Sequence, residues 1–280
     1  MKRDSDRIFE FGISSWSYPW AIGVAKGPQP DQPLSALGLL EKAKALNVPI
    51  VQIADNLPLE KLSAEEIQAL ASFAKDQGIR IEVGTKGIEP DHMLRFLDLA
   101  QILGSPIVRT LPALFGVRVP IEEVEKSLCQ VLDAYQAAGV VIVLENQEAY
   151  RADEYADIMA RVNHPHLRIC LDLSNALGAM EGPAHAMERM GPYCGNLHFK
   201  DVVIIRSKTL MGFAVEGRPS GQGSIPIHWM LDQVQGYGHC PSVIVELWPP
   251  FQETLAETIV MEEDWVRQSV EFMRTLDWRR

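Results

Sequence analysis

Residues 139–145 read Gly-Val-Val-Ile-Val-Leu-Glu, an apolar run that ends in an acidic residue. Residues 167–172, Leu-Arg-Ile-Cys-Leu-Asp, repeat this design, and an amphipathic stretch at 152–163 separates the two runs. Short apolar runs that alternate with helical stretches are typical of parallel β-strands joined by crossover helices. The segment 139–172 therefore predicts one β-α-β unit, and its pattern can be sought in the rest of the chain.

The same alternation continues to both ends of the chain. It predicts eight strands, at 11–15, 49–53, 79–84, 105–110, 139–145, 167–172, 194–199 and 242–247. It also predicts helices at 34–46, 64–77, 90–103, 120–137, 152–163, 183–190, 225–235 and 261–275. Eight β-α units are best satisfied by a closed barrel, and barrels of this length form one domain. We therefore expect fold class α/β, with a single (β/α)8 TIM barrel over residues 1–280.

An open, doubly wound parallel sheet is the alternative fold. Such a sheet usually carries a glycine-rich phosphate turn after its first strand, and residues 16–27 contain no such motif.

Helix-end signals agree with the proposed boundaries of the helices. Ser63 is followed three residues later by Glu66, which is the pattern of a capping box, and Gly78 and Gly139 stand where glycine commonly ends a helix.

Composition excludes several classes of protein. Lys and Arg total 26 against 37 Asp and Glu, so the net charge is −11, which argues against a nucleic-acid partner. No stretch of about 18 apolar residues predicts a membrane span, and no apolar run follows the charged residues 1–7 as a signal peptide would require. The four cysteines show no Cys-x-x-Cys pair, so we expect no disulfide framework and a cytoplasmic location.

Ionisable side chains stand at the ends of the last four predicted strands: Glu145, Asp172, His198 and Glu246. In a (β/α)8 barrel the chemistry lies where strands end and β-α loops begin. Alternation along each strand places these groups on the same face as their inward neighbours. We therefore expect three carboxylates and one imidazole to converge at the mouth of the barrel.

Buried carboxylates that lie this close together repel one another unless a cation compensates their charge. A set of oxygens with one nitrogen suits one divalent ion, Mn²⁺ or Mg²⁺, with Co²⁺ as a further possibility. The alternative is that each group caps a helix or pairs with a lysine. That is common for a single carboxylate, but it does not explain four groups at the same end of consecutive strands.

Further polar and basic residues follow the strand ends, and we expect them to contact the substrate: Lys86, Arg109, Gln147, Asn175, Lys200 and Arg206. Lys200 lies two residues beyond His198 and should share its inward face. A locally positive mouth on an acidic protein indicates an anionic substrate. The alternative for each cation is a solvated position on the surface. The long segment 201–223 is expected to be an active-site loop.

Five segments resemble successive motifs of the xylose isomerase-like TIM-barrel superfamily: Leu144-Glu145-Asn146, Leu171-Asp172-Leu173-Ser174-Asn175, His198-Phe199-Lys200-Asp201, Gly221-Gln222-Gly223 and Val245-Glu246-Leu247. The resemblance implies that Glu145, Asp172, His198 and Glu246 bind the metal. In the ketose epimerases of this superfamily the two glutamates also act as the acid and base, which here implies Glu145 and Glu246. The endonuclease IV branch needs several more strand-end histidines than this chain offers.

The sequence departs from the epimerase pattern at three positions. Asn175 replaces a histidine, Arg151 replaces a substrate-binding glutamate, and Ile204 replaces an arginine. The resemblance implies an isomerase or epimerase that forms an enediolate on a small, polyhydroxylated, anionic keto sugar, either a sugar acid or a sugar phosphate. The alternatives are a metal-dependent decarboxylase of a 3-oxo sugar acid, of the 3-oxo-isoapionate decarboxylase type, and a dehydratase. A sugar-binding barrel without activity is a further alternative.

The aromatic residues of the C-terminal tail suit a homodimer contact: Trp265, Phe272 and Trp278. The alternative is that they pack the last helix onto the barrel.

Overall fold

A computed structural model of the chain describes residues 9–112 and 117–276. Its barrel strands are β1 (Glu10–Ser14), β2 (Ile50–Ile53), β3 (Arg80–Gly84), β4 (Ile107–Thr110), β5 (Val141–Glu145), β6 (Leu167–Asp172), β7 (Cys194–Phe199) and β10 (Ser242–Val245). They are all parallel and close in the order β1-β10-β7-β6-β5-β4-β3-β2. The prediction of a single α/β barrel is confirmed.

Ten α-helices lie in the described part of the chain: α1 (Pro19–Ile22), α2 (Ala36–Ala45), α3 (Ala64–Gln77), α4 (Pro90–Leu103), α5 (Ile121–Ala138), α6 (Ala152–Val162), α7 (Leu173–Gly178), α8 (Pro183–Met190), α9 (Ile227–Tyr237) and α10 (Leu255–Thr275). The expected capping box at the start of α3 is present, with the Ser63 and Glu66 side chains each bonded to the other's backbone N–H. Gly78 ends this helix at φ 65°, a conformation that favours glycine.

All eight predicted strands coincide with barrel strands, and their bounds shift by only a few residues. Two predictions differ from the structure. The last helix begins at Leu255 rather than at residue 261, because Thr254 and Glu257 form a capping box there. The segment 201–223 contains an antiparallel hairpin, β8 (Asp201–Arg206) and β9 (Phe213–Arg218), rather than irregular chain.

The last helix packs onto the barrel through part of its aromatic tail. Trp265 and Phe272 are half-buried against the hydrophobic core. Trp278, the third residue expected at a dimer contact, lies outside the described residues. A homodimer therefore stays a prediction.

Polar side chains occupy the barrel interior just below its mouth. Gln52 of β2 pairs in register with Glu82 of β3, and both side chains are buried. Asn196 of β7 joins them from the other side of the barrel. A second interior cluster, Ile107, Val143 and Cys170, is apolar. The barrel interior therefore holds a polar group and an apolar group, which meet where Cys170 Sγ donates to Asn196 Oδ1 at 3.2 Å.

All four cysteines are free thiols, and Cys129 alone among them is exposed. Within residues 9–112 and 117–276, no helix has the length and apolar character needed to cross a membrane.

Candidate active site

The structure brings the four strand-end residues together at the mouth of the barrel. Glu145 ends β5, Asp172 ends β6, His198 lies in β7, and Glu246 directly follows β10. All four are buried, and one donor atom from each lies within 4.8 Å of the others. The carboxyl ends of all eight parallel strands meet at the same end of the barrel, which explains the convergence.

Two buried cations lie among these acids. Lys200 Nζ is 2.9 Å from Asp172 Oδ2 and 3.0 Å from Glu246 Oε2. The Nε of Arg109 donates to Glu145 Oε2, and its Nη1 lies 3.0 Å from Asp55 Oδ1. The protein therefore supplies part of the positive charge that the carboxylates need. Charge balance alone does not require a metal ion here.

The ion pairs decide the ionisation of the two glutamates. Burial raises the pKa of Glu145, but Arg109 and then His198 outweigh it and hold the pKa well below its usual range. Burial likewise opposes ionisation of Glu246, and here His198 and Lys200 lower the pKa below its ordinary value. Both glutamates are therefore carboxylates at neutral pH.

Asp172 is held by the backbone as well as by Lys200. Its Oδ1 accepts hydrogen bonds from the N–H groups of Ser174 at 2.8 Å and Asn175 at 3.0 Å, so that it caps the N-terminus of α7. Burial raises the pKa of Asp172, although the Lys200 charge acts in the opposite direction. The cap fixes one oxygen and leaves Oδ2 directed at Lys200.

The hydrogen bonding of His198 indicates whether a metal ion fits this site. Its Nε2 is 2.7 Å from the carbonyl oxygen Oε1 of Gln52, so Nε2 is the protonated nitrogen of the neutral ring. Nδ1 is buried and has no hydrogen-bond partner among the described residues. It lies 3.6 Å from Glu145 Oε2 and 3.4 Å from Glu246 Oε1. A bare imidazole nitrogen aimed at two carboxylates fits a divalent cation.

Without a cation in place, the same carboxylates act on the imidazole. Burial disfavours the charged ring, but Glu246 and Glu145 outweigh it and raise the pKa of His198. A metal ion that bound here would compete with a proton for Nδ1, because only the neutral imidazole is a ligand.

A pocket of about 200 Å³ opens above this cluster. Its walls are formed by Trp16, Asp55, Lys86, Arg109, Leu111, Glu145, Gln147, Glu148, Asn175, Lys200, Glu246 and Trp248. Lys200 Nζ lies 4.5 Å from the centre of the Trp248 ring, so its ammonium group borders the pocket as well as the carboxylates. The volume suits a small molecule with only a few carbon atoms.

Five of the six residues expected to contact substrate line this pocket: Lys86, Arg109, Gln147, Asn175 and Lys200. Arg206 does not, because β8 carries it out along the hairpin, where its guanidinium group lies 4.4 Å from the Phe213 ring centre. The structure therefore gives no support to a role for Arg206 at the mouth. Residues 201–223 do not line the pocket, although Gly217 packs against the backbone of Trp248.

Several site residues escape analysis of the sequence. The Ser14 hydroxyl donates to Glu246 Oε1 at 3.1 Å, and Gln52 contacts His198 from β2. Trp248 forms a wall of the pocket. The one available signal is a polar residue inside an apolar strand, as Gln52 is in Ile-Val-Gln-Ile.

Comparison with known proteins agrees with this architecture. The family model described as xylose isomerase-like TIM barrel matches residues 40–276. A 3-oxo-isoapionate decarboxylase of Pectobacterium atrosepticum is 28% identical over 264 residues, which cover 94% of each chain.

Solved structures share the fold at lower identity. D-psicose 3-epimerase from Clostridium cellulolyticum H10, determined with D-tagatose, superposes with a TM-score of 0.72 and 18% identity, over 95% of this chain and 99% of the other. A xylose isomerase-like TIM barrel protein from Mycobacterium smegmatis, in complex with magnesium, gives a TM-score of 0.66 and 15% identity, over 94% and 96% of the two chains.

Proposed function

The chain belongs to the xylose isomerase-like TIM-barrel family, and on that premise we propose that it is a metal-dependent decarboxylase of a small 3-oxo sugar acid. The observation that carries the proposal is the state of the two glutamates, whose oxygens are all engaged by donors of the protein. The relative from Pectobacterium atrosepticum, which matches along nearly the whole chain, supports the same reaction.

Glu145 and Glu246 are poorly placed to remove a proton from a substrate carbon. Glu145 Oε1 accepts from Asn175 Nδ2 at 3.0 Å, and Oε2 accepts from Arg109. Glu246 Oε1 accepts from Ser14, and Oε2 faces Lys200. These donors lower the pKa of both carboxylates, and a carboxylate with a low pKa is a weak base toward a proton on carbon. Decarboxylation needs no such base, because the bond to the carboxylate carbon supplies the electron pair.

The reaction breaks the bond between C1 and C2 of a 3-oxo acid. CO₂ leaves, the electron pair forms the C2–C3 double bond, and the C3 oxygen becomes an enolate oxygen. Transfer of one proton to C2 then gives the shortened ketone. Lys200 is the best proton donor, because its ammonium group borders the pocket and its partners keep it charged. Burial lowers the pKa of Lys200, but Asp172 and Glu246 outweigh it and raise the pKa above its ordinary value.

The remaining residues bind and orient the substrate. A divalent ion held by Glu145, Asp172, His198 and Glu246 would supply a Lewis acid for the keto oxygen. Lys86 stands at the rim of the pocket, 3.7 Å from Asp55, with 36% of its side chain exposed. It is the cation in the wall that is best placed to meet a carboxylate entering from solvent, because Arg109 and Lys200 are buried in ion pairs.

Isomerisation or epimerisation of a keto sugar is the second candidate. The observation in its favour is that Glu145 and Glu246 both line the pocket as carboxylates, as a pair that acts on two faces of one substrate would. One of them would have to take a proton from carbon despite its lowered pKa. This requirement separates the two candidates chemically.

The test uses purified protein supplied with Mn²⁺ in D₂O. One set of substrates is 3-oxo sugar acids labelled with ¹³C in the carboxylate, and the other set is ketoses and ketose phosphates. The ¹³C signal of CO₂ and bicarbonate, measured above the spontaneous rate, together with one deuterium at C2, would support the decarboxylase. Deuterium next to a carbonyl group without CO₂ would support the isomerase and would overturn the proposal.

A further inference from the structure

Three buried polar side chains lie directly beneath the candidate site. Gln52 donates through Nε2 to Glu82 Oε2 at 3.2 Å and to Asn196 Oδ1 at 3.1 Å. Asn196 donates through Nδ2 to the same oxygen of Glu82, at 3.2 Å, and to the Ser242 hydroxyl at 2.8 Å. Polar groups in a barrel core are costly to bury, and apolar residues would fill the same space. The network therefore needs a reason beyond packing.

Glu82 Oε2 fixes how both amides are turned. Burial raises the pKa of Glu82, while Arg80 Nε, 3.9 Å from Oε1, and the hydrogen bond from Gln52 favour the carboxylate. Each amide directs its NH₂ group at Glu82 Oε2. Turning either amide over would bring a carbonyl oxygen against a carboxylate oxygen and would leave the NH₂ group without its acceptor. Gln52 must then present Oε1, which only accepts hydrogen bonds, to His198.

This orientation decides which nitrogen of His198 is bare. Because Gln52 Oε1 accepts, the ring must hold a proton on Nε2, and the lone pair of the neutral ring stands on Nδ1, facing Glu145 and Glu246. The opposite amide orientation would stabilise the other tautomer and place a proton where a cation would bind. The orientation of one amide therefore controls whether the imidazole can be a ligand.

We propose that Gln52 and Glu82 are positioning residues for the metal site: Glu82 orients the Gln52 amide, and Gln52 holds His198 in the tautomer that binds a divalent cation. The inference rests on the metal site of the proposed function, and it is independent of the reaction carried out there.

The test measures Mn²⁺ affinity by isothermal titration calorimetry on metal-free protein. Gln52→Leu keeps the bulk of the side chain and removes the acceptor, so it should weaken Mn²⁺ binding about 10- to 100-fold. Gln147→Leu, the same change in a glutamine that lines the pocket, should bind Mn²⁺ as the wild type does. Unfolding in urea, followed in parallel, separates lost affinity from lost stability.

A double variant distinguishes positioning from packing. Gln52→Glu combined with Glu82→Gln exchanges the two groups, so that the new carboxylate accepts from His198 Nε2 and the new amide donates to it. This variant should bind Mn²⁺ with close to the wild-type affinity, and it serves as the second arm of the test if Gln52→Leu does not fold.

The possible results distinguish a failure of the positioning role from a failure of the metal site itself. Wild-type affinity in Gln52→Leu, or loss of Mn²⁺ binding in a folded double variant, would overturn the positioning role. A wild-type protein that binds neither Mn²⁺ nor Mg²⁺ would overturn the metal site, and this inference with it. A decarboxylase assay without product leaves the affinity comparison fully interpretable.

Discussion

The Nζ atom of Lys200 lies 3.0 Å from Oε2 of Glu246, at the floor of the pocket. The same ammonium group contacts Asp172. Two of the four candidate metal ligands, Asp172 and Glu246, are therefore already paired with one lysine. A divalent ion at this site would therefore meet Lys200 as an immediate neighbour. Repulsion between the two charges would favour an ammonium group turned toward the pocket, where the proposed acidic substrate would bind.

Replacement of Lys200 by methionine tests its role as proton donor. We expect CO₂ release from a 3-oxo sugar acid to fall at least about 10²-fold, because general acid catalysis contributes about that much. Lys200→Arg should not restore the rate, since the planar guanidinium fork cannot place a donor where the compact ammonium group of Lys200 lies. Single-turnover measurement of CO₂ with ¹³C-labelled substrate gives the rate. A variant that folds and releases CO₂ at the wild-type rate would exclude Lys200 as the donor.

Replacement of Glu246 by glutamine removes one charge from the cluster and keeps its shape. Mn²⁺ should bind more weakly, because an amide oxygen is a poorer ligand for a hard cation than a carboxylate, and turnover at limiting Mn²⁺ should fall with the affinity. Glu148→Gln is the matched control for affinity, since Glu148 lines the pocket outside the cluster. Equal Mn²⁺ affinity in the two variants would contradict the assignment of Glu246 as a ligand.

The barrel and the convergence of its charged strand ends are predictable from the sequence. Runs such as Val141–Glu145 and Leu167–Asp172 alternate with amphipathic helices, and period-two alternation fixes the inward side of each strand. Glu145, Asp172, His198 and Glu246 could therefore be placed together before any coordinates were known. This part of the site depends only on local pattern and on closure of the barrel.

The partners of those residues are not predictable in the same way. The contact of Gln52 with Glu82 depends on the register between β2 and β3, and its contact with His198 spans the barrel. The pairing of Lys200 with two acids depends on side-chain rotamers at the strand ends. Arg206 was wrongly expected to contact the substrate. The hairpin that carries it away from the pocket has no strong pattern in the sequence, so its direction could not be predicted.

Replacement of Lys86 by alanine tests whether the pocket selects an anionic substrate. KM for a 3-oxo sugar acid should rise a few-fold, as expected for loss of one half-exposed ion pair worth roughly 0.5–1 kcal/mol. The inhibition constant of a neutral ketose of the same length, measured as a competitive inhibitor of CO₂ release, should not change, because the ketose offers no charge to Lys86. Steady-state kinetics on both compounds, at low and high salt, measures the difference. Equal changes in the constants of the two compounds would show that Lys86 does not select an anionic substrate.

Replacement of Asp201 by alanine should loosen the hairpin beside Lys200. The Asp201 carboxylate accepts hydrogen bonds from the N–H groups of Gly221, Gly223 and Ile225 at 2.8–3.1 Å, and these bonds tie the end of the hairpin back to its start. Their loss should cost about 1–3 kcal/mol in stability. Cleavage by trypsin after Arg206 or Lys208 should become faster than in the wild type. Unchanged cleavage rates would show that the hairpin is held by its other contacts.

Glu262 should make the stability of the fold decrease as pH rises. This buried residue of α10 accepts hydrogen bonds from the backbone N–H groups of Trp20 at 2.7 Å and Ala21 at 2.9 Å. Burial nevertheless dominates and raises the pKa of Glu262 to about 8 from an ordinary value of 4.5. Between these two values the folded protein holds a proton that the unfolded chain has released. The contribution to stability is therefore complete below pH 4.5 and is lost as pH rises through about 8.

The experiment compares the free energy of unfolding in urea for wild type and Glu262→Gln at several pH values from about 5.5 to about 8.5. Glutamine is neutral in both states, so the variant lacks this titration, while all other groups titrate alike and cancel in the difference. The wild type should lose about 3 kcal/mol more than the variant across this range. The variant should also be less stable at low pH, because its NH₂ group cannot accept one of the two backbone hydrogen bonds. If the two free-energy curves run parallel, Glu262 is ionised in the folded protein, and the two hydrogen bonds outweigh its burial.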